Sequence, residues 1–131
     1  MAYLIDTDWT IDRLAEVPDA VRLLDRLAAE GIAISVVTYM EMYQGILRST
    51  DRETAERRFD DMLSSVPLLP LSKAVARRCA GLRETLKRQG KRVNQRALDL
   101  IIAATAIEYD LTLVTRKQPD APNKPLREGR L

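Results

Sequence analysis

Apolar positions along the chain follow two rhythms. Short, nearly continuous apolar runs read as strands buried on both faces: Tyr3-Leu4-Ile5, ending in Asp6; Ile32 to Val37, β-branched and preceded by Gly31; Leu68-Leu69, bracketed by Pro67 and Pro70; and Thr112-Leu113-Val114. Between them apolar residues recur at intervals of three and four. Pro18 and Asp19 open a predicted helix with Ala20, Leu23, Leu24, Leu27 and Ala28 on one stripe, which Gly31 stops. Thr38, with Glu41 three residues on, has capping-box spacing and starts the next helix, which weakens at Gly45 or ends at Arg48-Ser49-Thr50. A helix from about Asp51 carries Ala55, Phe59, Met62, Leu63 and Val66. Another, capped by Ser72, carries Val75, Cys79, Leu82 and Leu86 and ends before Gly90. Ala97 to Tyr109 forms the last helix.

The resulting order, β-α-β-α-α-β-α-α-β, predicts an α/β fold: three layers, with a central parallel sheet covered by helices on both faces. Residues 1–131 read as one domain without repeat or linker. Residues 116–131 hold three prolines and little apolar content and are expected to be an irregular tail.

Composition narrows the chemistry. Apolar residues make up 46% and charged residues 31%, and no run reaches the roughly 18 apolar residues of a membrane span. The start, Met1-Ala2-Tyr3-Leu4-Ile5-Asp6, lacks the basic region of a signal peptide, so a cytoplasmic protein with no membrane association is expected. The single cysteine, Cys79, excludes an intrachain disulfide and a structural zinc site. Histidine is absent, which removes imidazole bases, triads and metal ligands. An enzyme built from this chain must use carboxylates, hydroxyls or amines, and clustered carboxylates suit hard cations such as Mg2+ or Mn2+.

The net charge of +2 hides a division. Residues 1–72 carry 7 basic and 13 acidic side chains, whereas residues 73–96 carry 9 basic groups against Glu84 alone. Such a stretch is either a solvated helix face or the footprint of a phosphate backbone. Arg88, Lys91 and Arg92 are its candidate nucleic-acid contacts.

In a parallel sheet, ligands bind beyond the carboxyl ends of the strands. Asp6 ends the first strand and Glu41 lies one turn into the helix after the second, so both belong to that edge. Asp99 falls in the first turn of a helix whose same face carries Ile102, Ala103 and Ala106, where an isolated charge costs several kcal/mol. Each acid also has an ordinary structural reading. Asp6 could end a strand in a turn, Glu41 could serve the capping box, and Asp99 could complement the helix dipole. Their joint placement suggests a divalent-metal site.

Three blocks in order carry a family resemblance: Tyr3-Leu4-Ile5-Asp6-Thr7-Asp8; Ser35 to Ile46, with Glu41 and Gly45; and Asp99 to Ala106, followed by Leu113-Val114-Thr115-Arg116. The chain resembles PIN domains and, within them, the VapC-type toxins. The resemblance spans residues 3 to 116. It implies a PIN-like three-layer fold, catalysis by Asp6, Glu41 and Asp99 through Mg2+ or Mn2+, and supporting hydroxyls at Thr7 and Thr115, with Asp8 a weaker candidate. It implies a ribonuclease cutting RNA, tRNA among the candidates, that forms a homodimer and is neutralised by a cognate VapB-like antitoxin. The sequence departs from the family pattern after Arg116, where Lys117 replaces an acceptor side chain and Asp120 stands as a substitute fourth ligand. That departure leaves one alternative open, a catalytically weak module acting with its antitoxin as a DNA-binding autorepressor; the lack of a visible base-reading aromatic motif leaves another, a DNA nuclease on a similar scaffold.

Overall fold

The computed structural model describes residues 1–116 and, further on, the backbone of Arg127–Glu128. The strands are β1 (Tyr3–Ile5), β2 (Ile32–Ser35), β3 (Leu68–Leu69), β4 (Thr112–Thr115) and β5 (Arg127–Glu128). The helices are α1 (Thr7–Leu14), α2 (Pro18–Ala28), α3 (Val36–Leu47), α4 (Arg52–Leu63), α5 (Lys73–Arg88) and α6 (Ala97–Glu108), with a 3-10 turn at Asn94–Arg96. The strands run parallel in the order β3-β2-β1-β4-β5. The chain builds outward from β1 through β2 to β3, then returns to the other side of β1 with β4. That reversal places the crevice beyond β1 and β4.

Alternation along β1 assigns the two faces. Tyr3 and Ile5 join Ile34 and Val114 beneath α1 and α2, meeting Trp9, Ala20, Leu23, Leu24 and Leu27. Leu4 points the other way, with Ala33 and Leu113, into a cluster closed by Val37 of α3 and Ile102 and Ala106 of α6. The three-layer α/β/α arrangement follows directly. Two satellite clusters extend it: Val75, Cys79 and Leu86 of α5 on Leu100 and Ala104 of α6, and Met42 and Ile46 of α3 on Phe59 of α4. Burial raises the Cys79 thiol above its ordinary pKa, keeping it protonated at neutral pH and unsuited to nucleophilic work. Gly31 has φ +100°, and a Cβ there would lie 2.9 Å from the Met1 backbone, so only glycine lets β1 start alongside it.

The structure corrects the sequence reading in three places. Helix α1 is absent from the predicted elements. Of its residues, Thr7 to Leu14, only Trp9, Ile11 and Leu14 are apolar, and Ile11 is exposed; the helix is held by contacts with α2, α3 and β4. Strand β2 stops at Ser35 rather than Val37. The Ser35 hydroxyl accepts from the backbone N–H of Val37 (3.1 Å) and Thr38 (3.2 Å), satisfying two otherwise orphaned donors and turning the valines into α3. Thr38 is therefore not the cap, and the capping box with Glu41 does not form. Within the span expected to be irregular, the two residues Arg127–Glu128 pair with β4. Lys117 and Asp120 lie outside the described residues. Ser72 caps α5 as expected, and Asp51, where the next helix was expected to start, is the cap of α4.

Candidate active site

Asp6 leaves β1 as the N-cap of α1. Its backbone N–H donates to Val114 O (3.0 Å), continuing the β1–β4 ladder one residue past the strand. Its own carbonyl accepts from Thr10 N (3.2 Å) and Thr10 Oγ1 (2.9 Å), so the turn into α1 is bonded on both sides. Asp6 is 3% exposed. Oδ1 accepts from Thr7 N at 2.7 Å and Oδ2 from Thr115 Oγ1 at 2.6 Å. Each oxygen keeps a further lone pair beyond those bonds.

Thr7 carries the arrangement across to α3. Its hydroxyl donates to Glu41 Oε1 at 2.6 Å and lies 3.0 Å from Thr38 Oγ1. A hydroxyl has one proton, so with Thr7 donating to Glu41, Thr38 must donate to Thr7. The resulting chain, Thr38 to Thr7 to Glu41, gives Glu41 a role that its place in the sequence does not suggest. Thr7, Thr38 and Thr115 are buried and Glu41 is half-buried.

Asp99 stands half-buried in the first turn of α6, a helix packed against both α3 and β4. The structure thus joins Asp6 to Glu41 through Thr7, while the described residues contain no three-acid group already at metal-ligand spacing. Asp8 is exposed on α1 and takes no part in this network. Among the described residues no lysine or arginine forms an ion pair with Asp6 or Glu41. Among the described residues the donors at this edge are carboxylate and hydroxyl oxygens, a set that fits a hard divalent cation.

The basic stretch divides on inspection. Arg88 holds Glu84 at 2.9 Å one turn back on α5, and Arg78 reaches Glu108 of α6 at 3.2 Å. Lys91 and Arg92 instead line a groove of about 800 Å³ together with Arg83 and Lys87, over an apolar floor that includes Cys79, Val93 and Ile101. This groove borders the connection that leads from α5 into the Asp99 turn. Arg83 and Lys87 are not distinguished by the sequence pattern. Their shared face with Lys91 depends on how the connection folds back, which helical spacing does not give.

The fold and the carboxyl-edge acids define a nuclease-like α/β domain, and comparison with known proteins gives its family. The model for the PIN domain matches residues 3–117, and the chain belongs to that family. Within it, the chain is similar to VapC proteins. It is 30% identical over 117 residues to Ribonuclease VapC2 of Rickettsia felis, covering 88% of this chain and 86% of that one. The structure of VapBC2 from Rickettsia felis bound to a DNA fragment from their promoter superposes with a TM-score of 0.84 at 28% identity, covering 98% of both chains. FitAcB from Neisseria gonorrhoeae superposes with a TM-score of 0.72 at 28% identity, covering 88% of this chain and 87% of that one.

Proposed function

We propose that this protein is a divalent-metal-dependent endoribonuclease in which Asp6, Glu41 and Asp99 hold Mg2+ or Mn2+. It is a VapC-type ribonuclease toxin, neutralised by a VapB-type antitoxin, as its likeness to a VapC ribonuclease and to VapBC complexes supports. The observation that carries the metal assignment is the Asp6 carboxylate. It is almost wholly buried and held by two neutral donors, with no cationic side chain paired to it among the described residues. A buried charge so placed is costly unless a cation shares the site.

When bound, the cation supplies Lewis-acid polarisation of the scissile phosphate and of a water molecule. The chain's own groups do the rest. Thr115 and the Thr7 amide fix the carboxylate plane of Asp6, and Thr7, oriented by Thr38, fixes Glu41. Asp99 is delivered by α6 as the third carboxylate. Three acids repel a polyanion, so the basic groove flanked by Arg83, Lys87, Lys91 and Arg92 holds the RNA strand beside them. Arg88, committed to Glu84, is a lesser contributor. The substrate is RNA, with tRNA among the candidates, and the working form is a homodimer. Asp120 remains a candidate fourth ligand from the tail.

Incubation of the purified protein with total RNA tests this reading. Cleavage with Mg2+ or Mn2+ and none with EDTA is expected. Metal-independent cleavage, or cleavage of DNA in preference to RNA, would overturn it. The VapBC2 complex on promoter DNA supports a second activity of the toxin–antitoxin assembly, operator binding. It would persist in EDTA, which separates it from catalysis.

A further inference from the structure

Arg116 follows Thr115, the residue whose hydroxyl fixes Asp6. Its side chain turns back over α1. The guanidinium carbon lies 3.7 Å from the centroid of the Trp9 ring, and one terminal nitrogen lies 3.0 Å from Asp12 Oδ2. Trp9 and Asp12 are three residues apart, hence neighbours on one helix face. Asp6 caps the same helix three residues before Trp9. Two ties therefore run in parallel between β4 and α1: Thr115 on Asp6, and Arg116 on Trp9 and Asp12.

The second tie is not one that hydrogen bonding would select. Trp9 Nε1, Arg116 Nε and Arg116 Nη2 are buried without an aligned hydrogen-bond acceptor, and the Asp12 contact is an ion pair out of hydrogen-bond alignment. Unsatisfied buried donors weaken a structure, so their retention calls for another role. A planar guanidinium over an aromatic face holds both distance and angle, which an ammonium does not. It adds a second side-chain tie from the end of β4 to α1, beside the Thr115–Asp6 bond.

We propose that Arg116, stacked on Trp9 and paired with Asp12, is a positioning residue that keeps Thr115 on Asp6 and so fixes the orientation of the metal-binding carboxylate. This rests on the metal-site reading above. Trp9 is the single tryptophan of the chain, so its fluorescence reports the stack directly.

The test compares wild type with Arg116→Ala, Arg116→Lys and Asp12→Asn. Mn2+ affinity is measured by calorimetry, Trp9 fluorescence is recorded, and kcat and KM are determined separately on a short RNA. Arg116→Ala is expected to shift the fluorescence, weaken Mn2+ binding and lower kcat by roughly 10–100-fold, with KM unchanged. Arg116→Lys should recover only part of this, and Asp12→Asn should give a smaller loss of the same kind. If Arg116→Ala folds and keeps wild-type Mn2+ affinity and kcat, the proposal is wrong. A rise in KM with a reduced salt dependence and unaltered Mn2+ affinity would also overturn it, making Arg116 a phosphate contact. If Arg116→Ala does not fold, Asp12→Asn decides: unchanged Mn2+ affinity and kcat there overturn the clamp. A wild-type protein that neither binds Mn2+ nor cuts RNA would overturn the metal-site reading itself, a result distinct from all of these.

Discussion

Asp6 and Arg88 are both charged and both hydrogen-bonded, but their surroundings differ. Asp6 is 3% exposed, and each of its oxygens meets a donor fixed by the fold, one of them 109 residues away in sequence. Arg88 leaves 78% of its side chain exposed and holds Glu84 from the next turn of the same helix. In the first case the protein has surrounded a carboxylate with neutral donors and left its charge uncompensated by any cationic side chain among the described residues. In the second, water and salt screen the pair, and its contribution is small. On the proposed reading, the acidic edge of the sheet would place its charges against one bound cation, whereas the basic surface of α5 would act through a field. Damage at the first should abolish function at a single position; damage at the second should be graded.

The largest effect is expected at the acids themselves. Asp99→Asn, Asp6→Asn and Glu41→Gln should each reduce Mg2+-dependent cleavage beyond the roughly 10–100-fold typical of residues that merely support a ligand, because ligands of one ion act as a unit. Circular dichroism should show each variant folded. Wild-type cleavage by folded Asp99→Asn would remove α6 from the site.

Thr115→Val probes the same region through its support. It leaves Asp6 Oδ2 buried without its donor, at an expected cost of about 1–3 kcal/mol in chemical denaturation. In saturating Mn2+ that loss should grow, since an ion that the variant holds less tightly stabilises it less than it stabilises wild type. A loss that is the same with and without Mn2+ would separate the threonine from the metal site.

At the basic surface the comparison becomes one of slopes. Replacing Lys87, Lys91 and Arg92 by alanine should flatten the salt dependence of RNA binding, by about 0.7 in log–log slope for each single-strand phosphate that the protein no longer neutralises. Arg88→Ala should do less, and neither change should move metal affinity. Equal slopes for the triple variant and wild type would return this groove to an ordinary solvated face.

The smallest effect belongs to a surface carboxylate that contrasts with Asp6. Asp51 caps α4 and accepts from the Thr54 hydroxyl (2.7 Å) and amide (3.2 Å), bonds that hold its pKa below the ordinary 3.8. A depressed carboxylate pKa adds stability that is present above the unfolded value and lost as pH falls through the folded one. Acid unfolding of Asp51→Asn should therefore be less steep below about pH 4 than that of wild type. Identical curves would show that this cap contributes nothing through its charge.

Much of the architecture was legible in the chain. A strand buried on both faces of a parallel sheet must be apolar at nearly every position, so β1, β3 and β4 announced themselves. Asp51 and Ser72 marked the starts of α4 and α5 because a cap's hydrogen bond reaches only two or three residues along the chain. The sequence placed Asp6 at a strand end, Glu41 one turn into a helix and Asp99 in a first turn, and the structure finds each at that place. Other features depended on elements that meet only after folding. Helix α1 has few apolar residues of its own and forms where β4, α2 and α3 enclose it. Thr38 has the spacing of a cap to Glu41, yet Ser35 fills that role and releases Thr38 to reach Thr7, 31 residues back. Glu41 finds its donor 34 residues away, Asp6 finds one of its donors 109 residues away, and Arg116 finds its aromatic platform on α1. Local bonds are set by neighbours along the chain and can be read from it. The partner of a buried hydroxyl, carboxylate or guanidinium is set by which elements the core brings into contact, and here that choice fell to the tertiary structure.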